Sequence, residues 1–179
     1  MVALVEHQQR EPDCGHTSVV VISNRPEAAG LGKADALGVA TLCLDHRDHT
    51  GPSARAMHEA TLLDALASHR VELVVLSGYM RLLSPAFLEA WGGLVVNIHP
   101  SLLPAFPGAH AHRDVLSAGV SVTGCTVHVV DEGMDTGRIL DQVPVPVFPD
   151  DDEATLSHRV KLEEHRLYPA VLDRLVSGE

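Results

Sequence analysis

A chain of 179 residues with 45% apolar side chains suits one globular domain with a sizeable core. Thirteen Lys and Arg against 24 Asp and Glu leave a net charge of −11, which argues against a nucleic-acid binder needing a basic face. No apolar run is long enough to span a bilayer, and the opening MVALVEHQQR lacks the basic flank, apolar stretch and cleavage site of a signal peptide. The expectation is a soluble cytoplasmic protein with no nucleic-acid or membrane partner, the charge not excluding one small anionic ligand held by a few local cations, and reduced thiols at Cys14, Cys43 and Cys125.

In chain order, TSVVVISN (17–24) reads as a short buried strand and a turn. The Ala- and Leu-rich stretch 28–38 predicts a helix stopped at Gly38, and VATLCLD follows as a second strand. From Ser53 to His69 apolar residues recur at helical spacing (Ala56, Ala60, Leu63, Ala67), with Ser53 as candidate cap. VELVVLSGY is a buried strand, SPAFLEAW a helix opened by Ser-Pro, and LVVNIH the next strand. Strands alternating with helices imply an α/β sheet, mostly parallel. VTGCTVHVV and GRILDQVPVPV lie close in sequence, joined by DEGMDT, so they predict antiparallel strands at a sheet edge, where Pro144 and Pro146 are tolerated. A last helix is expected from Glu153 to Leu167, with Asp152 or Thr155 near its start.

In VVNIHPSLLPAFPG (95–108), Asn97 and His99 stand at the carboxyl end of a strand, where open α/β sheets gather ligands. Residues i and i+2 of a strand share a side, so the two can face one cavity. A non-ionising amide donor beside an imidazole suits a carbonyl whose oxygen turns negative as a nucleophile attacks. A strand-end Asn and His satisfying local backbone groups explains the pair equally well. DEGMDTG (131–137) is either a solvated hairpin turn or an acidic loop whose carboxylate orients His99. The histidines of HRDH (46–49), HAH (110–112) and His99 could hold a metal, but no His-Glu-x-x-His or Cys-x-x-Cys pattern exists, so surface positions and no metal are expected.

NIHPSLLPAFPGAHAH, VTGCTVHVVDEGMDTGRIL and RVKLEEHRLYP together closely resemble the phosphoribosylglycinamide formyltransferases of purine synthesis, along Ser18 to Leu175. The resemblance implies a Rossmann-like, open, mostly parallel sheet with antiparallel C-terminal strands (the formyltransferase fold), as a single domain over 1–179. It implies transfer of a formyl group from 10-formyltetrahydrofolate, as co-substrate and without metal, to the amine of glycinamide ribonucleotide, by a monomer or homodimer. Asn97, His99 and Asp135 match the family's catalytic positions. Met80, Arg81, Leu82 and Leu83 match its pterin pocket, together with the loop Asp131, Glu132, Gly133, Met134 and Asp135, and Arg55 matches the position meeting the cofactor's acidic tail. Lys161 and Glu164 match positions facing the nucleotide.

Family members begin with a buried strand and a Gly/Ser/Asn-rich turn that cradles the substrate phosphate at a helix N-terminus. Met1 falls approximately where that first helix begins and VALVEHQQ reads as its remainder, so the expectation is a domain shortened at its N-terminus that keeps folate better than nucleotide. The competing functions are a formyltetrahydrofolate deformylase-like hydrolase and an inactive, truncated folate-binding protein. The deformylase normally carries an N-terminal regulatory domain, for which 179 residues are expected to leave no room, and methionyl-tRNA formyltransferase adds a C-terminal RNA-binding domain, which is not expected of an acidic chain ending at Glu179.

Overall fold

Short β-branched runs alternate with Ala/Leu-rich segments, and the computed structural model, which describes residues 1–178, turns them into an α/β architecture. The described residues divide into two compact units, Met1–Glu72 with Leu83–Gly93, and Leu73–Leu82 with the chain from Leu94 onward.

The first unit holds α1 (Val2–Arg10), β1 (Val21–Ser23), α2 (Ala29–Ala36), β2 (Thr41–Cys43), a 3-10 turn at His46–Asp48 and α3 (Ala54–Ser68). It is completed by α4 (Pro85–Trp91). β1 and β2 pair in parallel, Val21 beside Thr41 and Ser23 beside Cys43. α2 ends as expected: its C-cap is Leu37, and Gly38 follows at φ 77, a left-handed conformation that costs a glycine little. Ser84 caps α4 by accepting from Phe87 N–H, and Pro85 occupies the first turn, where its missing N–H costs nothing. Ser53 precedes α3 but makes no side-chain cap bond; its backbone is already turned (φ −96, ψ 3) rather than extended as a cap requires.

The second unit is a four-stranded sheet in the order β3 (Val74–Leu76), β4 (Val95–His99), β5 (Val122–Val129), β6 (Ile139–Pro146). β3 and β4 run parallel, and β5 and β6 are antiparallel neighbours, the edge position suiting Pro144 and Pro146. α5 (Ala111–Ala118) and α6 (Glu153–Ser177) complete it, with α6 packed on β5 and β6. Val95, Val96, Val115, Val127, Leu156 and Val160 are at most 2% exposed. Each such side chain contributes about 1.5–3 kcal/mol of burial.

Two helices differ from expectation. α5 lies in a stretch whose Pro- and His-rich approach masks its periodicity, and it closes on Gly119 at φ 63. α6 begins at the expected Asp152 capping box with Thr155 but runs past Leu167 to Ser177, through Pro169. A proline inside a helix removes one backbone bond. Here burial of Leu167, Tyr168, Val171 and Leu172 along one face outweighs that loss.

Candidate active site

β4 delivers Asn97 and His99 to the same side of the sheet at its carboxyl end, and the loop between β5 and β6 brings Asp135 to His99. His99 is 4% exposed. Its Nε2 lies 2.8 Å from the Phe106 carbonyl and its Nδ1 lies 3.4 Å from Asp135 Oδ2. Both ring nitrogens therefore face acceptors, which fixes the orientation of the ring.

Phe106 is itself held. Ser101 Oγ donates to the Ala105 and Phe106 carbonyls at 2.6 and 3.1 Å. Thr126 Oγ1 donates to Ser101 O at 2.6 Å and accepts from Leu103 N–H, while Gln142 Nε2 reaches Leu103 O and Thr126 Oγ1. The loop after β4 is thus fastened to β5 and β6 before it presents its carbonyl to His99.

Asp135 sits at φ 56, a left-handed conformation uncommon outside glycine and found at functional positions. Its Oδ2 accepts from Gly108 N–H at 2.7 Å. Gly108 is at φ 89, and a Cβ there would also crowd the Met134 sulfur at 3.1 Å. At the loop's other end, a Cβ on Gly137 would collide with the Val129 carbonyl, so the return into β6 needs glycine. Asp131 accepts from Gly133 N–H at 3.0 Å and Thr136 Oγ1 at 2.7 Å, giving the acidic loop its own internal frame.

Sequence reasoning missed His128. Strand register places it directly across from Asn97. Its Nδ1 lies 3.0 Å from Val129 O and its Nε2 lies 3.2 Å from Asn97 Nδ2. One consistent assignment follows: a neutral ring donates from Nδ1 and accepts the Asn97 amide at Nε2. Burial is the largest influence on this ring and lowers its pKa, outweighing the Val129 carbonyl and the Asp135 carboxylate. The 3.6 Å approach to Asp135 Oδ1 is therefore a neutral contact rather than an ion pair. The alternation Thr126, His128 in VTGCTVHVV was the available signal, but only the register shows which residue it opposes.

Tyr168, from the part of α6 beyond its expected end, is a second unforeseen contributor. Its hydroxyl lies 2.9 Å from both Leu76 O and Val96 O, spanning β3 and β4 beside Asn97. Burial raises its pKa well above the usual value, so it remains a phenol.

The other candidates lie as follows. Met80, Arg81 and Leu82, in the second unit, are exposed, as are Asp131, Glu132 and Met134, while Gly133 is half-buried. Leu83 is buried in the first unit, with only 4% exposed. Arg55 also belongs to the first unit, where its Nε donates to Glu59 at 3.1 Å; Glu59 is held in turn by Ser84 N–H and Ser84 Oγ. Lys161 is exposed on α6, one turn before half-buried Glu164, whose carboxyl burial pushes up in pKa and Lys161 draws back. The histidines are less superficial than expected: His58, His99 and His128 are buried. His112 is half-buried, its pKa lowered by burial against the opposing pull of Glu153. Burial pushes the Cys125 thiol up to about 12, which leaves it inert as a nucleophile.

The description "Formyl transferase" matches residues 2–172. The chain is 44% identical over 98% of its length to the trifunctional purine biosynthetic protein adenosine-3 of Drosophila melanogaster, of which it spans only 13%. It is 37% identical over 93% of its length to phosphoribosylglycinamide formyltransferase of Bacillus subtilis, of which it spans 84%. The crystal structure of phosphoribosylglycinamide formyltransferase from Brucella melitensis superposes with a TM-score of 0.91 at 44% identity, covering 100% of this chain and 90% of that one. The chain belongs to the formyl transferase family. Its mixture of parallel strands and antiparallel C-terminal strands is the fold of that family.

Proposed function

We propose that this formyl transferase moves the formyl group of 10-formyltetrahydrofolate to the amine of 5'-phosphoribosylglycinamide, a step of purine biosynthesis. The observation that carries the proposal is the convergence of Asn97, His99 and Asp135 at the end of β4. Asn97 has two amide hydrogens. One meets His128, and the other is free to donate to the formyl oxygen. As the amine attacks the formyl carbon, a C–N bond forms and the carbonyl electron pair moves onto oxygen. Asn97 meets that developing charge with an amide hydrogen bond, and His99 meets it from Nδ1, which lies 3.4 Å from Asp135 and turns to the oxygen while Nε2 stays anchored on the Phe106 carbonyl. Asp135 keeps the His99 ring oriented and receives, through water, the proton that the attacking amine must lose. When the bond to N10 of the folate breaks, a proton returns to that nitrogen. No metal and no covalent enzyme intermediate enter the sequence.

The folate is assigned to Met80, Arg81, Leu82, Leu83 and the loop Asp131–Asp135, with Arg55 meeting its acidic tail. Met80 and Leu82 are 67% and 51% exposed, which supports them as apolar walls for a planar ring. Lys161 and Glu164 are assigned to the nucleotide. Residues 1–179 act as one formyltransferase domain, monomeric or homodimeric, in the cytoplasm.

The test is an assay of formyl transfer to glycinamide ribonucleotide beside an assay of formate release. Transfer without formate supports the reading. Formate release independent of the amine would favour a deformylase-like hydrolase, and folate binding without either product would leave a binding protein.

A further inference from the structure

A second group of chemistry-bearing side chains lies in the first unit and uses none of the candidate active-site residues. α1 brings His7 to its last turn, and the chain leaving it returns Cys14 and His16 to the same place. One ligand atom from each lies within 4.8 Å of the others, and all three side chains are half-buried. The His7 and His16 rings stack with centroids 6.3 Å apart and planes inclined by 22°. Backbone bonds shape the turn, Glu11 N–H to His7 O at 2.9 Å and Cys14 N–H to Glu11 O at 3.1 Å.

We propose that His7, Cys14 and His16 bind one zinc ion. One thiolate with two imidazoles is a donor set zinc favours, and bonds of about 2.0–2.3 Å bring such atoms together after small side-chain rotations. Cys14 Sγ now donates to the His16 carbonyl at 3.3 Å; on binding, the thiol gives up that proton and its sulfur turns to the metal. Gln8 determines which His16 nitrogen serves. Its Oε1 accepts from Ser18 N–H at 2.9 Å and its Nε2 lies 2.8 Å from His16 Nδ1, so Nδ1 is occupied and Nε2 is the ligand atom. Zinc at Nε2 moves the ring proton to Nδ1, and the Gln8 amide turns to accept it, supplying the outer bond that zinc-bound histidines have. The ion would clip the end of α1 to the segment that leads into β1. The sequence concealed this set because its ligands follow no paired-cysteine spacing: one histidine is on a helix, and the Cys-x-His follows seven residues later.

The experiment uses the full chain stripped with a chelator and titrated with cobalt(II), then zinc. The expected result is one ion per chain, a thiolate-to-cobalt charge-transfer band, and loss of that band as zinc displaces cobalt. C14S abolishes the band, and C14S and H16N each weaken zinc binding more than tenfold. Q8E, whose carboxylate can accept from both Ser18 N–H and His16 Nδ1–H, binds zinc more tightly than the parent. Alkylation mapped by mass spectrometry needs no variant: zinc protects Cys14 and leaves the exposed Cys43 reactive. Zinc binding by C14S as tight as the parent's, a cobalt complex without the thiolate band, or Cys14 alkylation unaffected by zinc would overturn the proposal. Weaker binding by Q8E would remove His16 Nε2 from the ligand set and overturn it as well.

Discussion

Asn97 and His99 differ in how their donors are committed, and that difference predicts how each responds to substitution. In the proposed reaction Asn97 keeps one amide hydrogen for the formyl oxygen, while its Nδ2 lies 3.2 Å from His128 Nε2. Replacing Asn97 with Ala removes a donor aimed at developing charge and should lower kcat about 10²–10³-fold, the range for one oxyanion donor. H99A should lose at least as much; near-normal turnover in both variants would remove them from the chemistry. Asp135 allows a finer test, because asparagine tolerates a left-handed backbone and its amide oxygen can still accept from Gly108 N–H. D135N should therefore melt like the parent while kcat drops on the order of 10²-fold or more, as for the loss of acid–base function. A matched loss of melting temperature would instead assign Asp135 to folding. His128 acts through Asn97, so H128A should cost only about one hydrogen bond, about 0.5–1.5 kcal/mol, and should appear in kcat before KM.

Among the elements, the caps and strand ends were the most legible, because their chemistry is local. Ser84-Pro85 announced α4, Gly38 announced the end of α2, and Asp152 with Thr155 announced α6, all visible as residue types at fixed offsets. Asn97 and His99 were legible as a pair for the same reason, since the i, i+2 alternation of a strand needs no knowledge of its neighbours. What depended on partners was hidden. His128 joins the site through the β4–β5 register, and Tyr168 joins through a helix that continues across Pro169 because its far side is buried. The role of Asp135 was supplied by resemblance, and its left-handed backbone has no sequence signature in a residue other than glycine. Ser84 links legibility to energetics. Beyond capping α4 it donates to buried Glu59, which is 6% exposed, so it serves two structures at once. S84A should destabilise by about 0.5–2 kcal/mol through the cap alone. The buried carboxylate left short of a donor adds to that cost. Urea denaturation measures the sum, and a change within error would mean that Glu59 finds another donor.

Across the whole molecule, two electrostatic effects oppose one another as the pH falls. With a net charge of −11 at pH 7, self-repulsion weakens the folded state, and adding protons relieves it. His128 and His112 act in the other direction. Burial holds both below their ordinary value of 6.5 in the folded protein, so the unfolded chain takes up protons that the folded chain refuses. Stability rises with pH wherever the unfolded state binds more protons. The contribution of these rings is thus present above pH 6.5 and is lost as pH falls from there through their folded-state values. Salt separates the two effects, because the Debye length shrinks from ~30 Å at 0.01 M to ~3 Å at 1 M, screening the long-range repulsion but barely touching the desolvation of a buried ring. At low salt the pH dependence of stability near neutrality should be shallow, as the effects offset one another. At 1 M sodium chloride the unfolding free energy should fall steadily as the pH is lowered from about 7 to 5, and an H128N/H112N double variant should flatten that slope. Urea titrations across this pH range provide the measurement. A double variant with the parent's slope at high salt would show that other groups set the acid sensitivity of the fold.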